Sequence, residues 1–142
     1  MLINCVAYQQ GTKLADIAVA EIGEYVNRPD CFVWVALKDP EDTELAEMQR
    51  QFSLHDLAVE DARHGHQRPK IEEYGDTVFT VMHSVEYSPT DELHVGEVCV
   101  FVGHNFVLSV RSRSSQGFLG VRSRAEREPH LLRHGSSFVF YA

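Results

Sequence analysis

Residues 31–37 read CFVWVAL, an almost unbroken apolar run of strand length. A strand with one wet face alternates apolar and polar residues. A continuous apolar run belongs to a central strand covered on both faces. The run therefore predicts an α/β arrangement with residues 31–37 inside the sheet and helices on its faces. The sole tryptophan, Trp34, lies here and is assigned to core packing. The period changes just downstream. Asp39-Pro40 reads as a helix start, with Asp39 as N-cap and Pro40 at the first helical position. Glu41, Asp42 and Glu44 then load the positive end of the helix dipole, so this acidic cluster serves the helix rather than a metal. Leu45, Met48 and Phe52 form its buried stripe.

The next stretch, LHDLAVEDARHGHQRPKIEEYGD at residues 54–76, is expected to run helix, turn, strand. Ser53 is the expected cap, with Asp56 three residues on. Leu54, Leu57, Ala58 and Ala62 are expected to face the core, and Gly65 to end the helix. Two features carry chemistry. Glu60 and Asp61 are consecutive carboxylates near a helix C-terminus, where they oppose the dipole at some tenths of a kcal/mol. Neighbours on a helix point about 100° apart, so they do not converge on one ion by themselves. A hard cation such as Mg²⁺ accepts one or two carboxylates plus water, so each is a candidate ligand with oxygens from another element or subunit. The alternative is ion pairing at the surface, with Arg63 or Arg68. His64 and His66 flank Gly65, but two imidazoles do not complete a transition-metal site. They are read as turn residues.

Strands frame these segments. Residues 1–8 read as a strand with Ile3, Cys5 and Ala7 on one face. Gln10-Gly11-Thr12 is a turn, residues 13–19 a second strand or helix lead, and residues 18–27 more helical. After the His turn, residues 70–74, 77–85, 93–102 and 106–111 form four successive strands, an antiparallel meander. His83 and Cys99 are expected as a satisfied core pair. A polar linker at 112–117 leads to a helix at 119–128, whose Arg122, Arg124 and Arg127 read as a solvated face. The fold class is thus α/β (α+β), a mixed central sheet with an antiparallel meander, flanked by helices.

The 142 residues suffice for one domain with a real core. No apolar run approaches the roughly 18–20 residues that span a bilayer. Cys5, Cys31 and Cys99 lack CxxC spacing and suit reduced thiols in a cytoplasmic protein. Net charge is −8, divided as −12 over residues 1–110 and +4 over residues 111–142. An acidic body argues against nucleic acid and suits cations or a basic partner. GxSxG, Walker, GxGxxG and HExxH patterns are absent, so an enzyme is not expected. A free-standing metal-dependent enzyme would have to use His64, His66 and Asp61. Ser136-Ser137 resembles another N-cap, and residues 138–142 open an apolar helix too short to stand alone, which suggests a piece of something longer.

Three segments together carry a resemblance: Leu54 to Asp61 (LHDLAVED), His66 to Lys70 (HQRPK), and Glu73 to Asp76 (EYGD). With FVWV at 32–35, Asp39-Pro40, FVLSVR at 106–111, LLRHG at 131–135 and FVFYA at 138–142, the chain resembles the cytoplasmic N-terminal domain of the CorA family of magnesium and cobalt channels. The resemblance implies a CorA soluble-domain-like fold over residues 1–134, with residues 135–142 starting a truncated stalk helix. It implies a homopentameric parent at the inner (plasma) membrane, reached through C-terminal helices this chain lacks. It also implies weak, regulatory Mg²⁺ or Co²⁺ binding between subunits. The family's acidic pair falls on Glu60 and Asp61, with partner carboxylates on the stalk beyond Ala142. A zinc-transporting relative is the alternative, to which the eight histidines give room.

Overall fold

The computed structural model describes residues 1–114 and 117–142. Its elements in order are β1 (Leu2–Gln9), β2 (Thr12–Asp16), α1 (Ile22–Val26), β3 (Cys31–Lys38), α2 (Asp42–Phe52), α3 (Asp56–His64), β4 (Lys70–Tyr74), β5 (Thr77–Tyr87), β6 (Leu93–Val102), β7 (Phe106–Ser112), α4 (Leu119–Arg127), α5 (Pro129–Leu132) and α6 (Ser136–Tyr141). A turn of 3-10 helix, Val19–Glu21, leads into α1. The seven strands make one sheet, ordered β2-β1-β3-β7-β6-β5-β4. β3 is central and pairs antiparallel with β1 and parallel with β7. β4 to β7 form the expected meander. The sheet is therefore mixed, and α2, α3 and the meander together make the crossover from β3 to β7.

Both faces of β3 are covered, as its composition requires. Alternation divides the chain into two cores. On one face Val33, Val35 and Leu37 pack with Phe79, Phe101 and Leu108 beneath α1 to α3. On the other, Phe32 and Trp34 pack with Tyr8, Val100 and Val107 beneath α4 to α6. Each such side chain, once fully buried, contributes about 1.5–3 kcal/mol. Cys5, Cys31 and Cys99 are free and buried. Burial, then Glu21, pushes the Cys5 thiol up to about 11. Burial, then Glu97, pushes Cys99 up to about 12. Of the arginines expected on a solvated face of α4, Arg124 and Arg127 are exposed, whereas Arg122 is only 22% exposed and pairs with Glu126 beside the buried Tyr8. Of the predicted polar linker, residues 115 and 116 lie outside the described residues.

Several local expectations fail for identifiable reasons. Asp39 does not cap α2. It sits in the left-handed region (φ 42°), and its carboxylate accepts the Arg113 amide at 3.0 Å. Glu41 is the N-cap instead and forms a reciprocal box with Glu44, whose carboxylate accepts the Glu41 amide at 3.0 Å. Ser53 ends α2 in a left-handed conformation rather than opening α3. That role passes to His55, whose Nδ1 accepts the Leu57 amide at 3.1 Å. The buried face of α3 also differs from the expected one: Val59 is buried and Leu57 is 61% exposed. Ile3 is exposed because the β1–β3 register slips between Leu2 and Asn4. His83 is exposed and opposite Glu97, so it is no partner of Cys99, which faces Val81. The N-cap of α6 is Gly135, and Ser136 Oγ donates to the Gly103 carbonyl at 2.5 Å.

Candidate functional site

The helix that carries the acidic pair is fixed at both ends. Gln49 of α2 donates to the Leu54 carbonyl at 3.1 Å and to Asp56 at 2.6 Å. The His55 ring stacks on Tyr74 of β4 with centroids 4.3 Å apart. Ala58, Val59 and Ala62 bury the inner face. At the other end Gly65 (φ 67°) supplies a conformation that L residues avoid, and its amide bonds the Asp61 carbonyl at 3.0 Å. Arg63 and His64 occupy the last turn, where positive charge suits the dipole.

This phasing leaves Glu60 outward, with half of its side chain exposed, and Asp61 nearer the sheet, with a quarter exposed. Each has a cationic partner. Lys70, the first residue of β4, reaches Asp61 at 2.6 Å and Glu72 at 2.9 Å. Asp61 and then Glu72 hold the Lys70 ammonium well above the usual lysine range. The Tyr74 hydroxyl donates to Glu72, and with Lys70 it holds that carboxyl below the usual carboxylate range. Glu60 accepts from Arg63 at 3.2 Å and contacts His64 Nε2. Arg63 also reaches Asp42 of α2 at 3.2 Å. The result is two short runs of alternating charge, Asp42–Arg63–Glu60 and Asp61–Lys70–Glu72.

Both sequence alternatives for the pair are thus present in part. Glu60 and Asp61 are accessible oxygens of the kind a hard cation takes, and both are ion-paired. Arg63 is a partner and Arg68 is not among them. No group of three His, Cys, Asp or Glu that could hold a metal occurs among the described residues. Asp61, His64 and His66 hold three different partners, so the set an enzyme reading would need is not brought together. His66 stands at φ 56°, and its Nδ1 accepts Arg113 Nη1 at 2.8 Å.

Sequence reasoning missed one residue beneath this turn. Glu97 of β6 is 2% exposed. Its carboxylate accepts the Gln67 amide at 3.2 Å and lies 3.5 Å from Arg113 Nη2. His83 Nε2 is 2.8 Å from the Gln67 carbonyl. Glu97 thus pins the turn that follows α3 to the meander. The signal was available: a lone carboxylate in GEVCVFV, at a position sharing a face with Cys99 and Phe101.

Comparison with known proteins gives the fold and the family. A family model described as CorA-like Mg²⁺ transporter protein matches residues 30–141. YfjQ of Bacillus subtilis, provisionally named a metal ion transporter, is 34% identical over 119 residues, covering 83% of this chain and 36% of its own. The chain thus spans about a third of that relative's length. The full-length CmaX structure superposes with a TM-score of 0.77 at 17% identity, covering 99% of this chain and 43% of that one. The soluble domain of CorA from Methanocaldococcus jannaschii does so at 0.61 and 16% identity, covering 99% of this chain and 54% of that one. No helix among the described residues is long and apolar enough to cross a membrane. With the family model spanning the central strand, the meander and the acidic helix alike, the chain belongs to the CorA-like Mg²⁺ transporter family.

Proposed function

We propose that this chain is the regulatory cytoplasmic domain of a CorA-like Mg²⁺/Co²⁺ transporter, and that Glu60 and Asp61 sense divalent cations between subunits of a homopentameric parent. The observation that carries the reading is the pair of adjacent, accessible carboxylates near the C-terminal end of α3, each balanced by a side-chain cation that an incoming ion can replace. Mg²⁺ keeps most of its water and takes one or two protein carboxylates. Two side chains about 100° apart on a helix supply half of such a site. The other half comes from a neighbouring subunit, through a stalk that the helix starting at Ser136 begins. Facing acidic surfaces repel until a divalent ion bridges them, so occupancy biases a two-state assembly. Catalysis forms no part of the proposal, because the family is one of transporters. The test is a Mg²⁺ titration of a chain extended through the stalk, following backbone amide shifts. Glu60 and Asp61 respond at millimolar ion if the reading holds. Silence at both positions refutes it.

One observation favours a second reading. Glu60 and His64 lie one turn apart on α3 with Oε1 against Nε2. A mixed oxygen and imidazole pair suits Zn²⁺ better than Mg²⁺. Flux of Zn²⁺ without Mg²⁺ or Co²⁺ through the full-length parent establishes this alternative over the first.

A further inference from the structure

The hairpin of β5 and β6 runs past both of its neighbours in the sheet. β4 stops at the Lys70–Val81 pair and β7 at the Ser112–Glu97 pair, while β5 and β6 go on pairing as far as Tyr87–Leu93. The end of the hairpin is therefore a two-stranded ribbon, which in water is marginally stable at best without something packed on it. Its two faces are covered the wrong way round. The polar face, with Ser84, Glu86 and Gly96, lies under the chain that leaves β7. Glu86 is buried and accepts Ser114 Oγ at 2.6 Å, and a Cβ added at Gly96 would stand 2.8 Å from Ser114 Cβ. The other face is apolar and bare. Val85 opposite Val95, and Tyr87 opposite Leu93, are 60%, 45%, 76% and 61% exposed. Facing pairs at successive same-face positions make one patch, not scattered surface residues.

Charge selects what covers it. Residues 71–110 carry seven carboxylates and no Lys or Arg, and Asp91 and Glu92 stand exposed in the loop at the tip of the ribbon. Ribbon against ribbon would set these acids against each other. The complementary surface lies on the C-terminal helical layer, where residues 111–142 hold six Arg against two Glu. There α4 and α6 border a hollow of about 290 Å³ over Trp34, lined by Val121, Val139, Phe140 and Tyr141. Phe140 and Tyr141 are exposed. Arg124 stands beside them, its Nη1 3.5 Å from the Ala142 carbonyl. Arg127 follows three residues on, exposed and without an ion pair among the described residues. We propose that the β5–β6 ribbon of one copy docks on the α4–α6 face of a second copy, Tyr87 and Leu93 entering the hollow and Asp91 and Glu92 meeting Arg124 and Arg127. Two different surfaces meet, so the contact is head-to-tail, and such contacts close into rings or extend as filaments. A ring is the symmetry of the homopentameric parent proposed above, but the contact rests on these two surfaces and not on Glu60 or Asp61. The ribbon falls short of the roughly 20–30 residues a side of a standard interface, so one contact is weak alone.

Disulfide trapping suits a weak contact, and the three native cysteines are buried and do not compete. Thr90→Cys at the ribbon tip and Ser123→Cys on α4 both fall at exposed positions beside the charges proposed to meet. The two variants are prepared separately, one with a mass tag, and mixed at millimolar concentration in a glutathione redox buffer. The mixed disulfide forms about tenfold faster than either homodisulfide. Leu93→Ser in the Thr90→Cys copy cuts that rate about tenfold, as loss of an apolar anchor does. Asp91→Lys with Glu92→Lys also slows it, Arg127→Glu in the receiving copy restores it, and added salt slows the unaltered pair. In dilute protein Leu93→Ser melts with the wild type, because that side chain lies in water there. The proposal is overturned by any of four results: homodisulfides as fast as the mixed one, a rate indifferent to Leu93→Ser, no rescue by Arg127→Glu, or a Leu93→Ser that melts lower when dilute. Mg²⁺ is absent throughout, so this outcome and that of the cation titration stand or fall separately.

Discussion

Replacing Lys70 by Met tests whether the acidic pair is a cation site held in check by its own counter-ion. The ammonium lies 2.6 Å from Asp61 and 2.9 Å from Glu72. A divalent ion arriving at Asp61 must stand close to that charge or displace it. Two unit charges about 4 Å apart in a water-like medium interact by about 1 kcal/mol, so a divalent ion and an ammonium repel by about 2 kcal/mol. That corresponds to about thirtyfold in affinity. Salt at physiological strength screens exposed charges over about 8 Å and brings the expectation down to about tenfold. Methionine keeps a stem of similar length on the Phe79 side of the strand, where Lys70 Nζ is 6.0 Å from the ring centroid. The lost pairs are part-exposed and contribute about 1 kcal/mol to stability, so the variant stays folded. Raising the pH does not substitute for the mutation, because Asp61 and Glu72 hold the ammonium protonated above its ordinary range. Calorimetric titration with Mg²⁺ at two salt concentrations is the assay, with Asp61→Asn as the null. Lys70→Met binds Mg²⁺ about tenfold more tightly, and the gain shrinks as salt rises. Unchanged or weaker binding means that Asp61 serves only the ion pair.

Three further outcomes follow from the packing and electrostatics. Leu132→Ala, at a fully buried position between α5 and the sheet, lowers stability by about 2–5 kcal/mol in urea unfolding. The phase of α3 is tested by a pair: Val59→Ala costs about 2 kcal/mol and exposed Leu57→Ala under about 0.5 kcal/mol, and a reversed order would restore the phase expected from sequence. Burial pushes the Glu126 carboxyl up, but donors from Arg122 and Tyr8 outweigh it, leaving its pKa lowered. A lowered carboxylate pKa stabilises the fold above the unfolded value of about 4.3 and stops doing so as pH falls through the folded value. The difference in urea midpoint between the wild type and Glu126→Gln is therefore largest at pH 7 and closes on acidification below that range.

The strand at residues 31–37, the meander and the helix-turn-strand around the acidic pair were all legible in the sequence. Each is announced by a period of two, a period of 3.6 or an unbroken apolar run, and these are properties of a few consecutive residues under backbone geometry. Who bonds whom was not legible. Asp39 has the chemistry of a cap, but the Arg113 amide, 74 residues away in the chain, takes its carboxylate. His55 rather than Ser53 opens α3, and packing against the sheet turns Val59 inward and Leu57 out. Glu60 and Asp61 read as ligands or as surface acids paired with Arg63 or Arg68 from sequence alone; only the fold chose Arg63 over Arg68 and added Lys70 and His64. Asn4 and Arg111 lie far apart in the sequence and line one hollow because β1, β3 and β7 lie side by side. Local periodicity survives whatever the rest of the chain does. A hydrogen-bond or ion-pair partner is the winner among all groups brought within reach, and that competition exists only after the sheet has assembled.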